Sequence, residues 1–219
     1  MVFNLIGASV VVGLFIFLGV PVLARFAIFL GSFRPSVNTT DDKTPPSPPR
    51  LSPLPDFVNQ KTISVKGFSE SASEVELFVN DISLKTIVTE DSGEFIFTDI
   101  ELINGLNELY VISKDRAGNI SQPSGKIMLT LDQEPPEVKI TFPKEAELFS
   151  GQDNKNIIVK GKTEEEVQVK VNQRSAILKN GGEFEAQISL ADGEQEILVV
   201  VLDRAGNTTE KKISVRFNP

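Results

Sequence analysis

The 219-residue chain has no cysteine, no histidine and no tryptophan, and it has a single tyrosine. Without cysteine it can form neither disulfides nor thiolate metal sites, and it has no thiol nucleophile. Without histidine it lacks the commonest metal ligand and the usual general base near neutral pH. The shortage of tryptophan and tyrosine weakens any case for a sugar-stacking surface. The composition therefore points away from metal sites and from most catalytic machinery.

Positive charge is also scarce, because 22 Lys and Arg stand against 30 Asp and Glu, a formal net charge of −8. Such a chain has no basic field for nucleic acid, and we expect no nucleic-acid partner. The sequence contains no P-loop, no Gly-x-Ser-x-Gly nucleophile motif and no Gly-x-Gly-x-x-Gly dinucleotide motif. Its densest acidic run, residues 164–166, joins two expected strands and is interpreted as a solvated turn. We therefore predict no catalytic residue, no metal ligand, no cofactor and no enzyme activity.

The longest apolar run is at the N-terminus, where residues 5–24 carry no charge and are mostly aliphatic or aromatic. As a helix this stretch would be about 30 Å long, the thickness of a bilayer core. Arg25 follows it, and a long cationic side chain at that position can reach the interface. We predict a single-pass transmembrane anchor over residues 1–34, which places the protein in the cell membrane.

A cleaved secretory signal is the alternative interpretation of the same stretch. Residues 22–24 have the small-residue spacing that signal peptidase accepts, and Pro21 stands where such peptides often break. Against it, no Lys or Arg precedes the apolar run, and cleavage would expose the apolar residues 26–30 at a new N-terminus. The uncleaved anchor is therefore the preferred interpretation.

Residues 35–49 are rich in proline, serine and threonine, and residues 45–49 read Pro-Pro-Ser-Pro-Pro. Such a segment favours the extended polyproline II conformation and acts as a semi-rigid spacer. Because it has too few apolar residues to bury a core, we expect it to have no fixed fold. It is predicted to be the linker between the anchor and the rest of the chain.

From residue 50 onward, short strand patterns alternate with turn signals. The first series of predicted strands lies near residue 51 and at 61–66, 74–79, 82–88, 93–98, 106–115 and 125–131. The second series lies at 137–141, 156–161, 166–171, 174–179, 183–189, 195–203 and 209–217. Seven short strands in roughly 85 residues is the cadence of a β-sandwich. We predict an all-β protein with two tandem seven-stranded sandwiches, residues 50–132 and 133–219.

The two halves are copies of one unit, because Asp-Arg-Ala-Gly-Asn occurs at residues 115–119 and again at 203–207. Each copy follows an apolar run and precedes another strand pattern, as expected of a β-hairpin. Further matches are Val-Lys-Gly at 65–67 and 159–161, Val-Asn at 79–80 and 171–172, and Gly-Glu-Phe at 93–95 and 182–184. Pro-Pro at 135–136 opens the second copy, and so short a junction should hold the two units in a restricted mutual pose.

The repeated five-residue turn has a simple structural explanation. Asp115 and Asp203 can accept hydrogen bonds from turn amides. The glycines supply the positive φ that a bulged hairpin needs, and the asparagines tolerate left-handed geometry. These turn positions are Gly118, Asn119, Gly206 and Asn207. A calcium site is the alternative, but one Asp and one Asn for each turn fall short of the six to eight oxygens that calcium takes.

The order Val-Asn, Gly-x-Phe and Asp-x-Ala-Gly-Asn resembles the bacterial immunoglobulin-like modules similar to domain B of glucodextranase. The resemblance covers both copies, from about residue 50 to the end. It implies immunoglobulin-like sandwiches that act as spacers, stalks or adhesion units. The chain departs from the pattern after the Val-Asn pair, where Asp81 and Gln173 stand in place of a common glycine. This departure concerns the type of turn and leaves the predicted fold unchanged.

The direction in which the anchor crosses the membrane is predicted by two conflicting signals. Arg25 and Arg34 follow the apolar run, which places the rest of the chain in the cytoplasm by the positive-inside rule. Modules of the kind this chain resembles are normally extracytoplasmic. Long translocated domains often override nearby charge, so we expect the modules outside the cell.

The predicted function is that of a membrane-anchored, non-catalytic cell-surface protein. It would present its two modules for adhesion, for spacing, or for binding a protein or a cell-envelope polymer. One alternative is an accessory subunit that docks onto a membrane complex, and another is a carbohydrate-binding accessory module. Exposed aromatic residues in a row would favour the carbohydrate module, and this chain has few aromatics.

The candidate binding site is an outward-facing patch on the first module. If Val75, Leu77 and Val79 face the core, then Phe78 faces away from it. By the same alternation Tyr110 and Ile112 face outward, and in an immunoglobulin-like sandwich these two strands are neighbours. The patch Phe78, Tyr110 and Ile112 is either ordinary cross-strand pairing or a docking face for a protein partner or a second copy of the chain.

Overall fold

A computed structural model describes residues 42–164 and 166–219 of the chain. The predicted anchor over residues 1–34 and the first part of the predicted linker lie outside the described residues. Among the described residues, no helix is long and apolar enough to span a membrane.

The last part of the linker is more ordered than the sequence predicts. Residues 43–49 form no regular element, but Pro46 and Pro49 are buried. The backbone N–H of Ser47 donates a hydrogen bond of 2.9 Å to the Glu70 carboxylate. The expectation that the linker has no fixed fold is therefore wrong for these residues, because both prolines are buried and the Ser47 backbone is bonded to Glu70.

The first sandwich has one sheet of three strands and one of five. Its strands are β1 (Arg50–Leu51), β2 (Phe57–Val58), β3 (Thr62–Phe68), β4 (Glu74–Val79), β5 (Ile82–Val88), β6 (Glu94–Glu101), β7 (Gly105–Lys114) and β8 (Ile127–Leu131). The sheets have the strand orders β1-β3-β6 and β2-β8-β7-β4-β5. Alternate side chains of the long strands face inward and form one core. Its buried members include Val65, Val75, Leu77, Phe95, Phe97, Leu109, Val111 and Leu129.

The second sandwich repeats this plan with sheets of four and five strands. Its strands are β9 (Val138–Phe142), β10 (Glu147–Ser150), β11 (Asn156–Thr163), β12 (Gln168–Val171), β13 (Arg174–Ser175), β14 (Ile177–Leu178), β15 (Glu183–Ser189), β16 (Gly193–Leu202) and β17 (Thr208–Asn218). The sheets have the orders β14-β15-β11-β9 and β10-β17-β16-β12-β13. Its separate core includes Val159, Val169, Val171, Phe184, Ile197, Val199, Val201, Val215 and Phe217.

The all-β fold predicted from the sequence is confirmed, but the prediction of seven strands in each sandwich is wrong. The structure adds the two-residue strand β2 in the first sandwich and β10 in the second. The single strand predicted at 174–179 is two, because β13 pairs with β12 while β14 crosses to pair with β15 in the other sheet. Strands of two to four residues are too short to show the alternation on which the prediction rests.

Candidate functional site

Both copies of the five-residue turn are closed by their own side chains. Asp203 accepts hydrogen bonds at one carboxylate oxygen from the backbone N–H groups of Gly206 (2.7 Å) and Asn207 (2.8 Å). Its other carboxylate oxygen accepts from the Asn207 side-chain amide at 2.8 Å. In the first copy Asp115 accepts from the backbone and the side chain of Asn119, also at 2.8 Å. The turn carboxylates are therefore used to fix the backbone.

The glycines of these turns have the expected geometry and the asparagines do not. Gly118 and Gly206 have φ values of 93° and 95°. Asn119 and Asn207 do not have positive φ, and each donates its side-chain amide to the aspartate of its own turn. The hydrogen bond from Asn119 lowers the pKa of Asp115, because it stabilises the charged carboxylate. In the described part of the chain, no group of three or more acidic side chains is placed to hold a metal ion.

The second copy of the turn lies at the junction between the two sandwiches. The Arg204 guanidinium stacks 4.2 Å from the centroid of the Phe57 ring, which belongs to strand β2 of the first sandwich. A terminal nitrogen of Arg204 also lies 2.8 Å from a carboxylate oxygen of Glu166 in its own sandwich. A guanidinium over an aromatic face is attracted by the ring and also packs against it. Arg204 thus contacts the first sandwich through Phe57 while Glu166 holds its guanidinium within the second sandwich.

Two further hydrogen bonds tie the same junction. The Asn207 side-chain amide, already held by Asp203, donates to the carbonyl oxygen of Asp132 at 2.9 Å. The side-chain amide of Gln133 donates to the carbonyl oxygen of Asn59 at 3.2 Å. We call these contacts, together with the stacking of Arg204 on Phe57, the junction clamp. It uses two of the five residues of the repeated turn.

Sequence reasoning found the turn but missed the clamp. It assigned structural roles to Asp203, Gly206 and Asn207 and gave none to Arg204. Two features of the sequence could have pointed to Arg204: an arginine that recurs in both turns, and a short Pro-Pro junction that holds the two sandwiches close together. Phe57 could not be found in this way, because it lies in a strand of two residues with no alternating pattern.

The predicted patch on the first sandwich lies on the outer face of strands β4 and β7. Phe78 and Tyr110 are cross-strand partners, and their rings stack with centroids 4.9 Å apart and planes 1° apart. Ile112 lies two residues farther along β7, opposite Glu76. All three patch residues are half-buried. Because the two rings are stacked face to face, they do not lie side by side as a flat platform for a sugar ring.

Charged groups surround this patch. The Lys126 ammonium lies 5.5 Å from the centroid of Tyr110 and 2.5 Å from a Glu108 carboxylate oxygen. Burial and the neighbouring Asp81 carboxylate raise the pKa of Tyr110, because both disfavour its phenolate. In the second sandwich Lys170 pairs with Val200 at the position of the stacked rings. The aromatic pair is thus a feature of the first copy, and the second copy has a lysine in its place.

Comparison with known proteins finds that the chain is similar to immunoglobulin-like and fibronectin(III)-like modules. Residues 136–218 match the family model described as glucodextranase, domain B. Bacillopeptidase F of Bacillus subtilis (strain 168) is 32% identical to the chain over 165 residues, which are 74% of this chain and 11% of that protein. The chain therefore spans only about a tenth of the length of this curated relative.

Among solved structures, the fibronectin(III)-like modules of CbhA from Clostridium thermocellum superimpose with a TM-score of 0.51 at 17% identity. The match covers 80% of this chain and 92% of that one. At this level of identity the likeness concerns the fold. Together with the family match, it confirms the prediction of two tandem immunoglobulin-like modules.

Proposed function

We propose that the protein is a non-catalytic presentation module that holds two immunoglobulin-like sandwiches in one mutual pose at the outer surface of the cell membrane. The observation that carries this proposal is the junction clamp. Interfaces between domains of one chain are commonly loose, and relative motion of the domains is the usual expectation. A protein that fixes the junction with a stacked arginine and side-chain hydrogen bonds is suited to set a distance or an orientation.

The composition of the junction supports the same role. Only a few residues separate the end of β8 at Leu131 from the start of β9 at Val138, and Pro135 and Pro136 stand among them. Prolines restrict the backbone and remove freedom that a flexible linker would keep. Pro136 is buried. The junction is therefore short, stiff and clamped, which a spacer requires and a freely swinging tether does not.

Attachment to the membrane rests on the sequence. The uncharged residues 5–24 supply the anchor, and residues 35–49 connect it to the sandwiches. We place the sandwiches outside the cell, as argued above from the length of the C-terminal part. The relative Bacillopeptidase F, of which the matched segment is 11%, supports an accessory role, because there a comparable segment is a small part of a much larger protein.

Protease accessibility on intact spheroplasts tests this proposal. Externally added protease should digest residues 50–219 without lysis, while a cytoplasmic marker protein stays intact. The two arginines that follow the apolar run, Arg25 and Arg34, offer a matched control. Arg25→Ala with Arg34→Ala removes the charges that favour a cytoplasmic C-terminus, and digestion should be at least as complete. Protection of residues 50–219 until the cells are lysed would overturn the proposed location.

A further inference from the structure

Strand β17 has a partner along its whole length on one side and along only part of its length on the other. Its residues 208–217 pair antiparallel with residues 193–202 of β16. On its other side it pairs, in parallel, with β10, and this ladder covers only residues 215–218. The first half of β17 is therefore an open sheet edge within the described part of the chain.

The open side presents backbone groups in the spacing that strand pairing requires. The carbonyl oxygens of Ser214 and Asn218 accept hydrogen bonds from the β10 side, from Ala146 and Gly151. Because alternate residues of a strand direct their N–H and C=O groups to the same side, Thr208, Glu210 and Lys212 direct theirs to this open side. Among the described residues, no backbone group bonds to these three on that side.

A groove of about 930 Å³ lies beside this edge, between the beginnings of β9 and β17. Lys139, Lys162 and Lys211 line it, together with Val138 and Thr209. No ion pair involves any of these three lysines within the described ranges 42–164 and 166–219.

The carboxylates in the groove offset part of this charge and leave one formal positive charge among the lining side chains. Glu137 and Glu164 also line it, and one Glu164 oxygen accepts a hydrogen bond from the backbone N–H of Glu137 at 2.9 Å. Three cationic and two anionic side chains leave the groove positive in a chain whose net charge is −8. Opposite charges steer and select partners, so the groove favours an acidic one.

Lys211 has an unusual direction for a charged residue. It shares its face of β17 with Val215 and Phe217, which are buried in the core, yet Lys211 itself is exposed because the groove opens the sandwich at this end. An inward-pointing charge on an edge strand prevents indiscriminate strand pairing. The same charge favours pairing with a strand whose carboxylate can form an ion pair with Lys211.

The first sandwich does not offer the same edge. Between its turn and β8 the ladder is interrupted, and Pro123 stands in the segment, where it has no N–H to donate. The side-chain oxygens of Ser121 and Ser124 accept hydrogen bonds from the backbone N–H groups of Ser113 and Val111 instead. The two copies therefore differ at this strand, and the second copy is the one that keeps a regular open edge.

We infer that the open half of β17 is a strand-addition site for an extended acidic segment of a partner protein. The incoming strand would pair with Thr208, Glu210 and Lys212 and place alternate carboxylates toward Lys139, Lys162 and Lys211. Strand addition draws its affinity from backbone hydrogen bonds and its specificity from alternate side chains. A polyanion without amides could use the lysines but not the backbone acceptors. This inference goes beyond the presentation role, which does not require it.

Binding of a labelled peptide to the full chain in detergent tests the inference. The probe is a fluorescein-labelled seven-residue peptide of alternating valine and glutamate, followed by fluorescence anisotropy. Glu210→Pro removes an outward N–H without touching the ladder to β16, and it should weaken binding about tenfold or more. Glu210→Ala keeps that N–H and should bind like the parent. Lys211→Glu should also weaken binding about tenfold, whereas the same change outside the groove, Lys170→Glu, should not.

A second arm of the experiment varies the peptide, so that the result does not depend on how any variant folds. Methylation of alternate peptide amides blocks strand pairing and keeps every carboxylate, and it should abolish binding. Polyphosphate should compete only weakly. Equal binding of the methylated peptide, equal binding to Lys211→Glu, or no binding of the unmethylated peptide at millimolar concentration would each overturn the inference.

Discussion

Two glycines show how single residues decide the packing of each core. A Cβ atom at Gly161 would lie 2.3 Å from the ring of Phe184 and 2.6 Å from the carbonyl oxygen of Lys139. At Gly67 it would lie 2.3 Å from the ring of Phe95. Both phenylalanines are buried. The repeated Val-Lys-Gly and Gly-Glu-Phe motifs are therefore one feature, a glycine that leaves room for a phenylalanine ring.

The change Gly161→Ala tests this reading of the repeat. The added methyl group has no room without moving backbone, so it should lower the free energy of unfolding of the second sandwich by about 2 kcal/mol. Urea denaturation of the full chain measures the effect. Gly125→Ala is the control, because a Cβ there meets nothing within 4 Å and should change stability little. A loss below about 0.5 kcal/mol at Gly161 would contradict the account.

Some residue-scale features were beyond the sequence. Alternation placed Val75, Leu77 and Val79 in the core, and all three are buried. Alternation gave no reason for the asparagine that follows this pattern in each copy, Asn80 in the first and Asn172 in the second. In the structure the Asn172 side-chain oxygen accepts the backbone N–H of Leu198 at 2.9 Å and extends the ladder between β12 and β16 past the end of β12. Such a contact joins residues far apart in sequence, so it cannot be predicted from the local sequence pattern.

The turns after the Val-Asn pairs explain how Asp81 and Gln173 can stand where related modules commonly have glycine. Asn80 and Asp81 both have positive φ, at 52° and 63°, and Asn172 and Gln173 have φ values of 44° and 68°. Two consecutive positive φ values are what a type I′ hairpin requires. The chain therefore keeps the tight turn without glycine, at the cost of left-handed backbone at Asp81 and Gln173.

At the scale of strands, prediction succeeded where alternation was long. Strands β4, β5 and β15 have the predicted bounds, and β7 and β16 differ from them by a few residues. It failed for β2, β10 and the crossing of β13 and β14, whose places are set by pairing with distant strands. These short strands bear on both proposals, because β2 carries Phe57 of the junction clamp and the limited length of β10 leaves β17 open.

The stacked pair on β4 and β7 is the element-scale candidate for a docking face. If this face docks a second copy of the chain, the full chain in detergent should associate through it, because an aromatic pair beside an isoleucine is apolar surface that a partner can cover. Sedimentation velocity of the parent and of the triple variant Phe78→Ser, Tyr110→Thr, Ile112→Thr measures this. The variant should lose the association and remain folded.

The second sandwich supplies the control for that comparison. Val200→Thr with Leu202→Thr changes the outward positions of β16 that correspond to Tyr110 and Ile112, and this double variant should associate like the parent. Thermal unfolding of each variant shows whether the fold is kept. If the triple variant is folded and associates as the parent does, the stacked rings serve only to pair the strands, in which role such pairs contribute about 0.5–1 kcal/mol.

At the scale of the whole described chain, the same five-residue turn sequence has two structural roles. Inside each sandwich it closes a hairpin, and in the second copy it also holds the neighbouring sandwich through Arg204 and Asn207. The sequence predicted a restricted pose from the Pro-Pro junction alone. The side-chain clamp could not be predicted, because Arg204 and Phe57 belong to different sandwiches and meet only after both have folded.

The central claim is that the clamp holds the two sandwiches in one mutual pose, and a distance distribution between them tests it most directly. The chain has no cysteine, so Thr86→Cys and Gln187→Cys, both exposed on strands, give one spin label in each sandwich. Double electron–electron resonance should show a single narrow distance distribution. Arg204→Ala with Asn207→Ala should broaden it, and Arg116→Ala in the first turn should not. A broad distribution in the parent, or one that the double variant leaves unchanged, would contradict the account.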